Sequence, residues 1–507
     1  MSVKKLLFLF IPIVITKLSI TQVPTVKEVA ISKTSFYEYG DEQLFPLKKG
    51  GAYYTMCDAP GYYIEKFDDQ LKPLKSISKG FESESLENTF TQAIMLHDQL
   101  FLITGKFDKK EKQTDIKIIG INPTTLVTEN GKSLLKLDGR VDWVTVSKSE
   151  SDNFFSLVQI ITDKKNAEIA IALFDSEMSQ VYFKQYATDL ENYAFAGKTI
   201  ETGDDGNVYI ESMIYTQRVI NPGKEIHKIF CFPASGKTMH VVDFPQYQFG
   251  AAIDAQPDGK VFTYMITSKG MESFLVNGAT GRIENEKPVN IDLSVWKESA
   301  WYTDNKSKPV GMFFLPIFTG HDKEGNIYAV GEQSVSGDAG GPYTDYYSIA
   351  VIKYNPELNQ EWIKIIPKIQ SSSMAVLKTL SIQGIQTNDT IDLFLNYSAE
   401  AFKLDIYTNG DLGRDDLKNV REVGNSDKTN DLVQVRILPD GKINYYKIAD
   451  NTIVAYGYGT QTNMKGQTFK IGSAAGTSTD YYYIKDSFYD YKAGMRVGKK
   501  SLGHVMW

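Results

Sequence analysis

One hairpin recurs along the chain and limits the fold more than any other feature. It has an apolar strand, a polar turn of four to six residues and a second strand. The first copy runs Tyr63-Ile64-Glu65-Lys66-Phe67, turns at Asp68 and returns from Leu71 to Ile77. Later turns begin near Asn122, Asp175, Pro233, Asn277, Asn355 and Pro439, at intervals of 54, 53, 58, 44, 78 and 84 residues. The two long intervals hold irregular stretches, 286–315 and 398–430, and without them every spacing is about 45–58 residues. Two copies are close relatives. Ile352-Lys353-Tyr354-Asn355-Pro356 runs to Trp362-Ile363-Lys364-Ile365, and Val435-Arg436-Ile437-Leu438-Pro439 runs to Tyr446-Lys447-Ile448. From residue 27 onward the chain reads as short strands closed by Asp-Gly, Gly-Asn or Asn-Pro, with no window for an amphipathic helix of three turns.

A period near 50 built from four short strands predicts an all-β chain folded as a single β-propeller. One such sheet alone leaves both faces bare, so copies must pack on one another. Seven hairpins are visible. A further partial unit, Thr452-Ile453-Val454-Ala455-Tyr456 followed by Thr468-Phe469-Lys470-Ile471, lacks a final strand. The segment Val26-Lys27-Glu28-Val29-Ala30-Ile31 supplies one, closing the ring so that no sheet edge stays bare. The expected count is eight four-stranded blades, or seven if the tail only decorates the last. The competing architecture is a string of three or four β-sandwiches, which needs units of about 100 residues and polar linkers. No Pro/Ser-rich linker is seen among only 17 Pro. The expected boundaries are a propeller over 22–475 and a Tyr-rich, basic C-terminal segment over 476–507, forming a propeller edge or a sorting tail.

The N-terminus gives an address. Lys4 and Lys5 precede the apolar run from Leu6 to Ile15, and Ser19-Ile20-Thr21 offers small residues where a signal peptidase cuts. Residues 1–21 read as a secretory signal, because ten apolar residues interrupted by Pro12 are too few to span about 30 Å of hydrocarbon. The alternative is a buried N-terminal strand or short helix. No later stretch reaches 18 apolar residues, so no transmembrane segment is expected. The destination is the periplasm or the outer cell surface.

The chain resembles the secreted and periplasmic β-propellers common in Bacteroidota. The likeness rests on Gly325-Asn326-Ile327-Tyr328-Ala329-Val330-Gly331, followed by Lys353-Tyr354-Asn355-Pro356 and Trp362-Ile363-Lys364. It is strong over 318–366, weaker over 197–265 and 430–472, and faint elsewhere. The Trp-Asp ending of the WD40 class is absent. These motifs encode strand pairing and turns, so the resemblance implies a fold and not a function.

Residues suited to chemistry are sparse. Lys plus Arg number 55 against 62 Asp plus Glu, a formal charge of −7, and no long basic run appears, which argues against a nucleic-acid partner. His97, His227, His240, His321 and His504 are scattered, without metal spacing. No nucleophile elbow, Walker loop or His-Glu-x-x-His occurs. Asp142 beside Trp143, and Asp254 after Ala251-Ala252-Ile253, stand near blade starts, where carboxylates would line the tunnel of a propeller glycosidase. The plainer reading makes them strand-end caps. Asp405 to Asp411 with Asp415 and Asp416 has oxygen ligands for calcium but departs from the loop pattern, and reads better as an ordinary acidic loop. Cys57 and Cys231 sit in strands as isolated small apolar residues, or as one disulfide.

The strongest functional lead is aromatic. Tyr343, Tyr346 and Tyr347 close a Gly-rich loop, and Trp296, Trp301 and Tyr302 stand in the irregular insertion. Rings in loops suit recognition of a glycan or a protein of the cell envelope, because they offer large area at small entropic cost. The alternative is that they cover blade edges. The sequence therefore reads as an exported, non-catalytic binding or scaffold module, or a subunit of a bacterial cell-envelope complex, with no cofactor. The competing reading is a glycan-active propeller enzyme, a glycosidase or lyase working through tunnel carboxylates.

Overall fold

The computed structural model describes residues 25–31, 41–58, 61–79, 88–162, 167–188, 190, 195–215, 225–244, 247–267, 270–290, 314–336, 343–373, 382–387, 389–398, 429–452, 465–471, 481–489 and 498–506. Within them the chain forms eight four-stranded antiparallel sheets. Seven are continuous in sequence: sheet 1 (41–79), sheet 2 (88–138), sheet 3 (145–187), sheet 4 (195–244), sheet 5 (247–288), sheet 6 (315–373) and sheet 7 (383–452). The eighth joins both ends of the chain. Strands Lys465–Ile471, Tyr481–Tyr489 and Gly498–Met506 take Thr25–Ala30 as their fourth, with Thr25 opposite Met506 and Ala30 opposite Ser501. Thr452 itself ends sheet 7, so the last sheet begins later than the sequence suggests.

Among the described residues six cores lie between consecutive sheets, and a seventh gathers Ile31 with Leu44, Tyr54, Tyr63 and Phe67 of sheet 1. Tyr53 and Ile64 of sheet 1 pack on Leu100 and Leu102 of sheet 2. Ile169 and Leu173 of sheet 3 meet Ile210 and Phe230 of sheet 4, and Tyr328 and Val351 of sheet 6 meet Leu393 and Val435 of sheet 7. Sheets 2 and 3, 4 and 5, and 5 and 6 share cores in the same way. First strands touch between sheets 1 and 2 and in every neighbouring pair from sheet 3 to sheet 7, so they form the inner edge. Small sheets stacked face to face about a shared inner edge are the blades of a β-propeller.

The recurrent hairpin is the third and fourth strand of sheets 1 to 7. Its turn is held by an Asx cap: Asp68 Oδ1 accepts the amides of Gln70 (3.0 Å) and Lys72 (2.7 Å), and Asn355 Oδ1 those of Glu357 (3.1 Å) and Asn359 (2.9 Å). The fourth turn residue adopts a left-handed backbone, which Gly236 and Gly441 meet freely. Leu71, Met178 and Leu358 do so at φ near 60°, and burial of Leu71 and Leu358 offsets that strain.

The Gly-Asn-x-Tyr motif bolts sheets together. Asn326 Nδ2 donates to Asp322 (2.8 Å), fixing the turn, and Tyr328 Oη donates to the Asp389 carbonyl of sheet 7 (3.2 Å). Asn207 and Tyr209 repeat this toward Asp205 (2.6 Å) and the Gly259 carbonyl of sheet 5 (3.1 Å). Tyr264 reaches the Phe314 carbonyl at 2.7 Å. Cys57 and Cys231 are buried in sheets 1 and 4 and are not bonded to one another. No helix among the described residues is long and apolar enough to cross a membrane.

Candidate functional site

Four consecutive sheets, 3 to 6, send acidic and imidazole groups to one end of the inner edge, where each first strand turns into its second. The first strands are Thr145–Lys148, Phe195–Thr202, Tyr247–Ala255 and Leu315–His321. His321 closes the last of these. Its Nδ1 lies 2.9 Å from Asp254 Oδ2 of sheet 5, and its Nε2 lies 3.4 Å from Glu150 Oε2 in the first turn of sheet 3. Asp254 is hydrogen-bonded to Nδ1 and the Glu150 carboxylate stands within ion-pair distance of Nε2, so the arrangement favours the imidazolium. Because Glu150 comes from sheet 3 and His321 from sheet 6, the contact spans the space that the first strands enclose.

The surroundings hold this geometry. Thr319 Oγ1 donates to the Ile253 carbonyl (2.7 Å), fastening the first strands of sheets 5 and 6. Ser156 and Thr202 share a hydroxyl hydrogen bond of 2.8 Å between sheets 3 and 4. Ser151 donates its amide (2.9 Å) and hydroxyl (2.6 Å) to Asp204 Oδ1, tying the two first turns together. Gln256 Nε2 donates to Asp254, and Lys148 pairs with Asp152 while its charge also reaches Glu150.

Electrostatics divide the carboxyls. Burial pushes the Glu201 carboxyl up to about 8, with the Asp254 charge adding and His321 opposing, so Glu201 keeps its proton at neutral pH. Burial likewise raises Glu150, the His321 charge opposes, and Asp204 and Asp254 add. The Glu150 side chain is nonetheless 74% exposed. For His321, burial disfavours the cation, but the hydrogen bond and charge of Asp254, with Glu150 and Asp204, outweigh it and raise its pKa. Groups with pKa values pushed apart at one mouth can exchange protons with a ligand or bind its donors.

The sequence names two of these residues, Asp254 and His321, and the fold brings them together. It misses Glu150 and Glu201. Asp142 does not join them: it pairs with Arg140 at 2.7 Å and stands with exposed Trp143 just before the strand Thr145–Lys148, at the opposite end. His227 is wholly buried 3.2 Å from Glu211, and burial holds it down to about 3 while Glu211 rises to about 7. His240 contacts the Thr238 hydroxyl at 3.2 Å. Tyr343, Tyr346 and Tyr347 stand in the strand Tyr343–Tyr354, with Tyr346 in register with Ser334 and Gln370, but their side chains lie outside the described residues. Trp296, Trp301, Tyr302 and the acidic stretch 405–416 also lie outside them, as do residues 1–21. Among the described residues no group of three or more His, Cys, Asp or Glu has the arrangement of a metal site.

No family model matches the chain, and no curated protein does. Similar solved structures include the β-propeller domain of the Trilobed protease from Pyrococcus furiosus, at 10% identity and TM-score 0.35, covering 71% of this chain and 90% of that one. Polysaccharide lyase Uly1 has 9% identity and TM-score 0.42, covering 94% and 93%. A prolyl endopeptidase has 8% identity and TM-score 0.41, covering 92% of this chain, which spans only 55% of that one. Likenesses this distant say nothing about the chemistry at the mouth.

Proposed function

We propose that this protein is an exported, eight-bladed β-propeller that serves as a ligand-binding module of the cell envelope. Its ligand, a glycan, is taken at the channel mouth formed by Glu150, Glu201, Asp254 and His321. The single observation that carries this reading is the convergence of those side chains from sheets 3 to 6 on one mouth. Hydroxyl-rich ligands both donate to carboxylates and accept from a protonated Glu or an imidazolium. Pairing of Thr25–Ala30 with Gly498–Met506 supports closure of the ring by the two chain ends, and the basic, apolar N-terminal run supports export. Calorimetric titration of the mature protein with a panel of oligosaccharides tests the reading. Binding that is lost in Asp254→Asn is expected, and binding unchanged in that variant refutes the site.

A second reading is a glycan-cleaving enzyme, with Glu201 as general acid and the Asp254 carboxylate, oriented by His321, as the base. What favours it is the Asp254–His321 contact of 2.9 Å within electrostatic reach of Glu201, whose carboxyl burial pushes up, since glycosidic cleavage needs one carboxyl that holds its proton. Release of reducing ends from a polysaccharide panel, abolished by Glu201→Gln, would establish this reading over the first.

A further inference from the structure

We propose that His321 is a pH-controlled latch at the mouth: as an imidazolium it holds Glu150 of sheet 3 across the space between the first strands, and as a neutral ring it releases Glu150 while keeping Asp254. The inference concerns the mouth itself and holds whether or not a glycan binds there. The two arms of the imidazole are unequal. Nδ1 is hydrogen-bonded to Asp254 Oδ2 at 2.9 Å, and both of those side chains are at most 15% exposed. Gln256 also donates to Asp254, and Thr319 ties the same two first strands through the Ile253 carbonyl. Nε2 faces Glu150 Oε2 at 3.4 Å, the separation of an ion pair, and Glu150 is the exposed partner. A neutral imidazole has one N–H. Placed on Nδ1, that proton keeps Asp254, whereas Nε2 then turns a lone pair toward the Glu150 carboxylate. The attraction that held Glu150 is gone.

The backbone around Glu150 is fastened to its neighbours. From sheet 2 the His97 amide donates to Asp152 (3.0 Å), and Ser151 donates to Asp204 of sheet 4. The moving part is therefore the Glu150 side chain. Lys148, whose charge reaches Glu150, gives the released carboxylate another partner. Other groups act on His321 from every side. Asp204 and Glu201 of sheet 4 lie within electrostatic reach, and Asp322, next in the chain, is occupied by the amides of Glu324 and Asn326. From sheet 7 the neutral Gln386 stands against Gly320. Burial disfavours the His321 cation, but Asp254, Glu150 and Asp204 outweigh it and lift its pKa above 6.5. Burial lifts Glu150 above 4.5. Both charges coexist between the two folded values, so the latch is shut in that window. It loosens on the alkaline side as His321 gives up its proton, and on the acid side as Glu150 takes one.

NMR of protein labelled at histidine and glutamate, titrated from pH 4 to 9, locates the His321 midpoint. Crystal structures on either side of that midpoint then show the two states. Below it, Glu150 is expected against His321 Nε2. Above it, Glu150 is expected to be turned away, with the Asp254 contact kept in both. Glu150→Ala changes an exposed side chain and removes one arm alone. In that variant the His321 midpoint should fall by a few tenths of a pH unit, the scale of an exposed ion pair. Glu150 held, or absent, on both sides of the midpoint overturns the latch. So does loss of Asp254 in place of Glu150, or a His321 midpoint unmoved in Glu150→Ala. None of these outcomes involves a ligand, so the glycan reading stands or falls on its own titration.

Discussion

Glu201→Gln should make the protein more stable at neutral pH. The wild-type carboxyl titrates near 8 in the fold and near 4.5 when exposed, so the folded state holds a proton that the unfolded state releases between those values. Its contribution is therefore complete below 4.5 and is lost as pH rises toward 8. The slope is about 1.4 kcal/mol per pH unit, which gives roughly 3 kcal/mol lost by pH 7. Glu201 is not fully sealed from water, so a realistic figure is about 1–3 kcal/mol. Glutamine has the same shape and no ionisation, so the variant escapes this loss. Urea denaturation of both proteins, followed by tryptophan fluorescence from pH 4 to 8, measures the difference directly. The expected curves meet near pH 4 and separate as pH rises. A variant that is less stable at pH 7, or a gap that does not change with pH, would refute the idea that burial keeps the Glu201 carboxyl protonated in the fold. It would instead identify Glu201 as an ordinary, well-paired structural carboxylate.

The remaining expectations concern neighbouring groups and the joints between sheets. Asp254→Asn removes the main support of the His321 cation, so NMR should show the His321 titration moving to lower pH. Because the folded His321 pKa is raised, stability from that pair is present below about 6.5 and fades as pH rises through the folded value. His227, held neutral by burial, acts oppositely: stability falls as pH drops below 6.5, and His227→Phe should flatten the acid limb of a pH–Tm curve. Tyr328→Phe leaves the Asp389 carbonyl without its donor and should cost about 1 kcal/mol, adding with Tyr209→Phe because the two bolts join different sheets. Arg436→Met strands the wholly buried Asp392, which Arg436 grips at 2.8 and 3.0 Å, and should destabilise by about 3–5 kcal/mol in denaturant titration.

The fold was far more legible in the sequence than the site, and the reason is repetition. Turn chemistry is local, so Asp68, Asn122, Asp175, Asn277 and Asn355 announce their hairpins without knowledge of the rest of the chain. The pairing of Thr25–Ala30 with the far end of the chain followed from one missing strand in one unit. Left-handed Leu71 and Leu358 were not legible, because their strain is offset by burial that only the folded sheet provides.

The site hid for a different reason. A repeat fold exposes function at positions where the copies differ, and those differences look like noise when each copy is read alone. The turn hydrogen bonds from the amides of Gly203, Gln256 and Asp322 mark equivalent positions in sheets 4, 5 and 6. Counting back two residues from each gives Glu201, Asp254 and Gly320. Glu201 and Asp254 are thus the same inner-edge position in successive blades, a pairing that alignment by the turn would have exposed. Glu150 offered no such signal. It sits within its turn rather than before it, and it reaches His321 only because the first strands of sheets 3 to 6 curve round a common space. That contact belongs to the assembled inner edge and to no single repeat, so local reading of the chain could not contain it.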